Sequence, residues 1–171
     1  KDVPRDTALD YLSQALEVLG EHAKAGGTFF IYEPLNRYET NLFNHFNEAA
    51  TFLKGLSTDS VKLLADLFHM NIEEEGFYKP IIATQDVLDY IHMSESHRGL
   101  VGSGTVNWDQ IWQALGEIKF DGNLVLESFA AINPDLAAAT CLWRPPNQSS
   151  DVLASEGLRF LKEGAASAGL I

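Results

Sequence analysis

The sequence predicts an α/β protein made of four strand–helix units around a parallel sheet, and three observations support this fold class. Four short apolar runs alternate with helical stretches along the 171 residues. Each run is almost wholly apolar, as is typical of parallel strands that are covered on both faces. Each run also ends on a residue that can bind a metal ion. We predict strands at residues 28–33, 61–66, 89–93 and 123–127.

Helices are predicted before the first strand and after each strand. The first should begin at Asp6 as its N-cap and reach about Ala25, because leucines recur there at the helical period and two glycines follow. A glycine-rich segment, residues 94–107, is expected to be a long loop. The remaining predicted helices cover residues 45–54, 67–75, 84–88, 107–119, 134–142 and 152–166.

Four units are half of what a closed barrel needs. A (β/α)8 barrel requires eight such units and about 250 residues. Polar residues at four successive strand ends favour such a barrel over a Rossmann-type sheet, whose ligands bind at one switch point. We therefore predict that residues 1–171 form one domain, the C-terminal half of a TIM barrel whose first half is absent from the chain. Alone, that half would expose two strand edges.

Composition excludes several classes of protein. The chain has 24 acidic and 12 basic residues, and its net charge of −12 would repel a nucleic-acid backbone. No apolar run approaches the roughly 18–20 residues that a membrane span needs. The single cysteine, Cys141, excludes an internal disulfide and suits a reducing compartment, so we expect a cytoplasmic protein.

The residues that follow the four apolar runs form a hard, oxygen-rich set of metal ligands. They are Glu33, Asp66, His92 and Glu127. If the strands are parallel neighbours, their C-terminal ends lie side by side and these side chains converge. Three carboxylates and one imidazole favour Mn²⁺ or Mg²⁺, with Co²⁺ as an alternative, over a thiolate zinc site.

Such an ion can hold two adjacent sugar oxygens and stabilise the ene-diolate that forms when a C–H beside a carbonyl loses its proton. Glu33 and Glu127 could lie on opposite faces of that carbon. One carboxylate would then remove the proton and the other would return it from the far side, which inverts the centre.

Four further residues follow the predicted strands closely enough to contact a substrate. Glu39, His69 and Arg98 lie on the loop or helix start after their strands, where substrate-orienting groups belong. Phe129 comes two residues after Glu127 and should face the same way. It is either an apolar wall for the substrate or a core residue.

These residues lie in four motifs: EPLNRYE (33–39), ADLFHMN (65–71), HMSESHRG (92–99) and LVLESF (124–129). Together, in this order, they resemble the sugar isomerase/epimerase family with the xylose-isomerase-like barrel, especially the D-tagatose/D-allulose (ketose) 3-epimerases. The resemblance implies a Mn²⁺-like ion on the four strand-end ligands and an acid/base pair formed by Glu33 and Glu127. It also implies that Glu39, His69 and Arg98 bind the C1–C3 oxygens of a sugar. We expect a homo-oligomer, a dimer or tetramer, when the protein is intact.

Several alternatives share parts of this pattern. An aldose–ketose isomerase of the hydroxypyruvate-isomerase kind or a phosphosugar 3-epimerase would use the same metal ligands. Apurinic endonucleases of the same superfamily need a basic DNA face, which the charge of −12 opposes. A non-catalytic half-barrel would be expected to have lost site residues, whereas all of them are present.

Overall fold

The computed structural model describes residues 3–131, 133–144 and 147–171. Strands and helices alternate along the chain, as the sequence predicts. In chain order the elements are α1 (Arg5–Ala25), β1 (Phe30–Tyr32), α2 (Phe46–Lys54), β2 (Val61–Asp66), α3 (Leu67–Glu73), α4 (Tyr78–Thr84), β3 (Leu88–Ser94), α5 (Trp108–Ile118), β4 (Asn123–Glu127), α6 (Pro134–Thr140) and α7 (Ser150–Ser167).

The four strands form one sheet in the order β1-β2-β3-β4, and every neighbouring pair is parallel, which confirms the predicted topology. The pairing of β2 with β3 contains one irregularity. Leu63 pairs with Leu88, whereas the next residue, Leu64, pairs with Tyr90. Asp89 therefore has no partner in β2, which is the geometry of a β-bulge.

The apolar core lies between the sheet and the helices on its outer face. The outward side chains of β2 and β3 are buried, while those of β1 and β4 and several helical partners are partly buried against them. Each fully buried Leu or Ile contributes about 1.5–3 kcal/mol relative to an exposed one. On the inner face, Lys62, Tyr90 and Val125 are only half-buried. The helices thus cover the outer face of the sheet, while the inner face is only partly covered.

Helix α7 shows how the sequence positions this outer layer. Ser149 caps the helix by accepting a hydrogen bond from the N–H of Val152, and residues four apart are buried along one stripe. They are Leu153, Gly157, Leu161 and Ala165. Like α7, the other helices are amphipathic or short, and within the described ranges none is long and apolar enough to cross a membrane.

Two helix predictions are wrong. Helix α1 begins at Arg5 after Pro4, and no side chain caps it, so Asp6 lies in the first turn instead of at the N-cap. The predicted helix at 84–88 is displaced, because α4 covers Tyr78–Thr84 and a turn follows. Pro80 suggested a break, yet it occupies the third helical position, where no intrahelical partner for its missing N–H is required.

On its own, the 171-residue polypeptide is expected to aggregate or to melt without cooperativity. Its sheet has two free edges and an inner face that is only partly covered, and exposed apolar surface of this kind promotes association. Calorimetry combined with light scattering would measure both properties. A sharp, cooperative melt of a monomer would contradict this expectation.

Candidate active site

The four predicted metal ligands are brought together at the C-terminal edge of the sheet. Glu33 directly follows β1, while Asp66 and Glu127 are the last residues of β2 and β4. His92 lies two residues before Ser94, the last residue of β3, and β3 extends one residue beyond the predicted strand. Asp66 and His92 are nevertheless paired in the sheet and face the same side.

A ring nitrogen of His92 lies at the centre of the cluster. Its Nδ1 is 3.7 Å from Glu33 Oε1, 3.7 Å from Asp66 Oδ2 and 3.6 Å from Glu127 Oε1. These distances are too long for hydrogen bonds. Among the described residues, His92 Nδ1 is also the one buried side-chain nitrogen or oxygen without a hydrogen-bond partner.

The spacing fits a bound cation. With metal–ligand bonds of about 2.1 Å, neighbouring ligand atoms lie about 3.0 Å apart in an octahedral site and about 3.4 Å apart in a tetrahedral one. The oxygens around His92 Nδ1 lie slightly farther out than this. A small contraction would place the unpaired nitrogen and the three carboxylates on one divalent ion.

Two overlapping groups of side chains are close enough to hold a metal ion, since the ligand atoms in each group lie within 4.8 Å of one another. They are Glu33–Asp66–His69 and Asp66–His92–Glu127. Asp66 belongs to both groups and is completely buried. Its Oδ1 caps α3 by accepting a 2.7 Å hydrogen bond from the N–H of Phe68. Helix α3 therefore holds this carboxylate in place and turns Oδ2 toward the cluster.

The cluster crowds negative charge into a partly buried space. Burial, followed by repulsion from Asp66, raises the pKa of Glu33 to about 7. Burial, followed by the nearby Asp66 carboxylate, likewise raises the pKa of Glu127 to about 7. Burial also acts on Asp66, but contacts with His92 and Arg98 outweigh it and hold its pKa below the usual range. Such a site favours a cation or shared protons.

Arg98 supplies positive charge at the edge of this cluster. Its Nη1 donates to Asp66 Oδ2 at 2.9 Å and also to Glu127 Oε2. The guanidinium group lies over the rings of Phe68, at 4.1 Å, and Phe129, at 4.9 Å. The backbone N–H of Phe129 donates to the Arg98 carbonyl oxygen at 2.8 Å. Phe129 thus packs beside the site residues.

His69 and Glu39 lie together on the β1 side of the cluster. His69 is 3% exposed, and its Nε2 is 3.8 Å from both Glu33 Oε1 and Asp66 Oδ2. Glu39 is near the other ring nitrogen, with Oε1 3.9 Å from His69 Nδ1. The Glu39 carboxylate accepts a 2.8 Å hydrogen bond from the side chain of Asn36.

Glu95 is a site-supporting residue that the sequence interpretation missed. It is completely buried in the glycine-rich loop between β3 and α5. Its Oε1 accepts from the backbone N–H groups of Ser96, at 2.8 Å, and Val106, at 3.1 Å. Its Oε2 accepts from the N–H of Gly102, at 2.9 Å, and from Trp108 Nε1, at 3.1 Å. One carboxylate thereby closes the whole loop.

The same loop carries Arg98. The Arg98 N–H donates to the Glu95 carbonyl oxygen at 2.8 Å, and Arg98 has a left-handed φ of 59°, a conformation that costs a non-glycine residue energy. Gly104 is needed beside this carboxylate, since a Cβ there would lie 2.5 Å from Glu95 Oε1. An isolated acid among loop glycines was the sequence signal for this arrangement.

Comparisons with known proteins agree with this geometry. The family described as "Xylose isomerase-like TIM barrel" matches residues 1–163. An L-ribulose 3-epimerase of Methylomonas sp. (strain DH-1) is 38% identical over 151 residues, which is 87% of this chain and 53% of that protein.

Two solved structures support the same assignment. A structure of L-ribulose 3-epimerase superposes with a TM-score of 0.91 at 31% identity, over 98% of this chain and 57% of that chain. A D-allulose 3-epimerase from Methylomonas sp., solved in complex with D-allulose, gives a TM-score of 0.83 at 35% identity, over 93% and 55%.

The chain spans about half the length of the curated relatives it matches. Its four parallel strand–helix units, with polar residues gathered at the C-terminal edge of the sheet, correspond to half of an eight-stranded barrel. The chain belongs to the xylose isomerase-like TIM barrel family.

Proposed function

We propose that the whole protein is a divalent-metal-dependent ketose 3-epimerase, which inverts C3 of a keto-sugar. The observation that carries the proposal is the unpaired Nδ1 of His92, which is surrounded at 3.6–3.7 Å by carboxylates from the other three strands. The relatives named as 3-epimerases support the choice of reaction over an aldose–ketose isomerisation.

The ion would be held by Glu33, Asp66, His92 and Glu127, and Mn²⁺ is our first choice, with Mg²⁺ or Co²⁺ as alternatives. When bound, it would supply the positive charge that makes a C–H beside a carbonyl more acidic. The groups that would move the proton and orient the substrate are side chains that lie around His92.

Inversion requires one group to remove the C3 proton and another to return a proton on the opposite face. Glu33 and Glu127 come from the two outermost strands and flank His92 Nδ1. Their side chains are 29% and 28% exposed, so each can reach a substrate from within the site. Inversion needs one of the two deprotonated and the other protonated at the start. Burial raises both pKa values to about 7, so each group can take either form near neutral pH.

The substrate is proposed to be an unmodified ketose such as D-allulose, the ligand found in the structure of one relative. Arg98 and His69 lie beside the catalytic carboxylates and would orient its oxygens. The ring of Phe129 lies 4.9 Å from the Arg98 guanidinium and would form an apolar wall. Glu39, whose Oε1 lies 3.9 Å from His69 Nδ1, would bind the substrate together with His69.

Three broader expectations belong to the same proposal. Residues 1–171 would be one domain that supplies the second half of the barrel. The intact enzyme would be a homo-oligomer, a dimer or tetramer, located in the cytoplasm. Its partner would be a small sugar, with neither nucleic acid nor membrane involved.

Solvent exchange tests the reaction directly. We expect the whole protein, supplied with Mn²⁺ and D-fructose, D-tagatose or D-allulose in D₂O, to place deuterium at C3 of the epimerised ketose. The reason is that the proton removed on one face is replaced by a different one on the other. Proton and deuterium NMR of the recovered sugar locates the label.

Two comparisons make this result decisive. Treatment with a chelator should abolish incorporation, and added Mn²⁺ should restore it. The same assay with the phosphorylated sugars is run in parallel. Label at C3 of the phosphorylated sugars alone would show a phosphosugar 3-epimerase. Deuterium at C1 or C2 of an aldose product would show an isomerase and overturn the proposal.

A further inference from the structure

We propose that Asn36 fixes the tautomer of His69, with the ring proton on Nε2, so that His69 donates a hydrogen bond to a substrate oxygen and does not bind the metal. The identity of the substrate rests on the proposed function, but the tautomer does not. The inference follows from the hydrogen bonds around one buried amide.

The orientation of the Asn36 side chain is fixed by two groups whose roles cannot change. Its Oδ1 accepts from the backbone N–H of Tyr38 at 2.9 Å, and an N–H group can only donate. Its Nδ2 lies 2.8 Å from Glu39 Oε1, and the carboxylate accepts. Asn36 is 2% exposed, so water does not compete. The second hydrogen of Nδ2 is left for another acceptor.

That acceptor is His69 Nδ1, which lies 2.8 Å from Asn36 Nδ2. The backbone N–H of Asn36 also donates to the same ring nitrogen, at 3.1 Å. A nitrogen that receives two N–H donors must carry a lone pair and no hydrogen. In a neutral imidazole the proton is then on Nε2.

This tautomer separates the two histidines of the site. A ring nitrogen binds a metal through its lone pair, and the Nε2 of His69 has none once it is protonated. Of the two groups allowed by distance, the Glu33–Asp66–His69 group is therefore excluded as a metal site. His92, whose Nδ1 is buried and unpaired, remains the imidazole ligand.

The N–H of His69 is left available for a ligand. The nearest carboxylate oxygens, on Glu33 and Asp66, are both 3.8 Å from Nε2, beyond hydrogen-bond distance. Arg98 Nη2 also lies 3.4 Å from Nε2, and since a guanidinium can only donate, this contact favours a lone pair there; it is longer than the two donor contacts of 2.8 and 3.1 Å that reach Nδ1 and decide the tautomer. A single oxygen placed between Nε2 and Nη2 would accept from both, as a sugar carbonyl or hydroxyl oxygen can. Asn36 is thus a positioning residue that acts through His69.

Nitrogen NMR tests the tautomer in the unmodified protein. Long-range ¹H–¹⁵N correlation of the whole protein labelled with [¹⁵N]histidine distinguishes protonated from unprotonated ring nitrogens, and a His69→Gln variant assigns the signal. We expect an unprotonated Nδ1 and a protonated Nε2, both without metal and with Mg²⁺ alone. A protonated Nδ1, or loss of the Nε2 proton on adding Mg²⁺, would overturn the proposal.

Substitution tests the role of Asn36. Asn36→Asp puts a carboxylate in place of the closer of the two donors to Nδ1, so it should move the ring proton to Nδ1 and lower kcat/KM for D-allulose by at least about tenfold. Asn36→Ala leaves only the backbone donor and adds no acceptor, so it should have a smaller effect. Asn44→Asp is the matched control, because Asn44 donates to backbone oxygens of the same loop and does not contact His69. Circular dichroism verifies folding.

The outcomes separate this proposal from the proposed function. An unchanged His69 spectrum in folded Asn36→Asp, or an equal activity loss in Asn44→Asp, would contradict the role of Asn36. If the wild-type protein lacks epimerase activity while the tautomer shifts as described, the proposed reaction fails and the tautomer assignment stands.

Discussion

Replacing Glu127 by Gln is expected to lower turnover by about 10²–10⁴-fold, the contribution of a positioned general base, while most metal binding is retained. The amide keeps one oxygen as a ligand for the ion and gives up the contact that Oε2 makes with Arg98, and the group can no longer take up a proton. Glu33→Gln should behave in the same way, since both carboxylates flank His92 Nδ1. Steady-state kinetics and calorimetric titration with Mn²⁺ measure the two properties.

Glu156→Gln provides the control, because Glu156 is an exposed side chain on α7 that pairs with Arg159. It should leave both properties unchanged. Wild-type turnover in Glu127→Gln or Glu33→Gln would remove that residue from the acid/base pair. Loss of metal together with activity would assign it a ligand role alone, and this result also contradicts the proposed mechanism.

Replacing Glu95 by Gln should destabilise the whole protein by about 2–4 kcal/mol, because hydrogen bonds to a charged group are worth about 1.5–3 kcal/mol each and are not additive. Each Glu95 oxygen accepts two N–H donors. Whichever way the amide turns, its NH₂ faces two of those donors. Urea denaturation measures the loss in free energy of unfolding. KM should also rise, because Arg98 lies on the same glycine-rich loop and would be held less firmly.

The loss should also depend on pH. Burial works to raise the pKa of Glu95, but the N–H donors of Ser96, Val106 and Trp108 outweigh it and hold the pKa below the ordinary value. The folded protein then binds this proton more weakly than the unfolded chain does. The stabilisation is complete above the unfolded pKa of about 4.3 and is lost as the pH falls through the folded value.

The difference in stability between wild type and Glu95→Gln should therefore shrink on acidification from pH 6 to below about pH 4. Glu163→Gln is the control, because Glu163 is exposed on α7 and pairs with Arg159. A Glu95→Gln variant as stable as this control at neutral pH would show that the buried carboxylate does not hold the loop.

The sequence predicted the strands and the polar residues at their ends well because both depend on local patterns. An apolar run followed by an acid, as in the run that ends on Glu127, needs no knowledge of the rest of the chain. The roles of Glu95 and Asn36 could not be found this way. Glu95 binds donors up to 13 residues away, and Asn36 binds a histidine 33 residues away. Those partners become neighbours only once the sheet has formed.

The bulge at Asp89 in β3 determines which side chains of that strand face the carboxylate cluster. If Asp89 paired regularly with Leu64 instead, the ladder would continue until Asp66 paired with Ile91, and every later side chain of β3 would change faces. His92 would then point among the helices, and Ile91 would point at the carboxylates. The register of β3 against β2 thus decides whether a polar or an apolar side chain of β3 faces the carboxylates. The inward-facing His92 and the buried Ile91 both follow from this one shift in register.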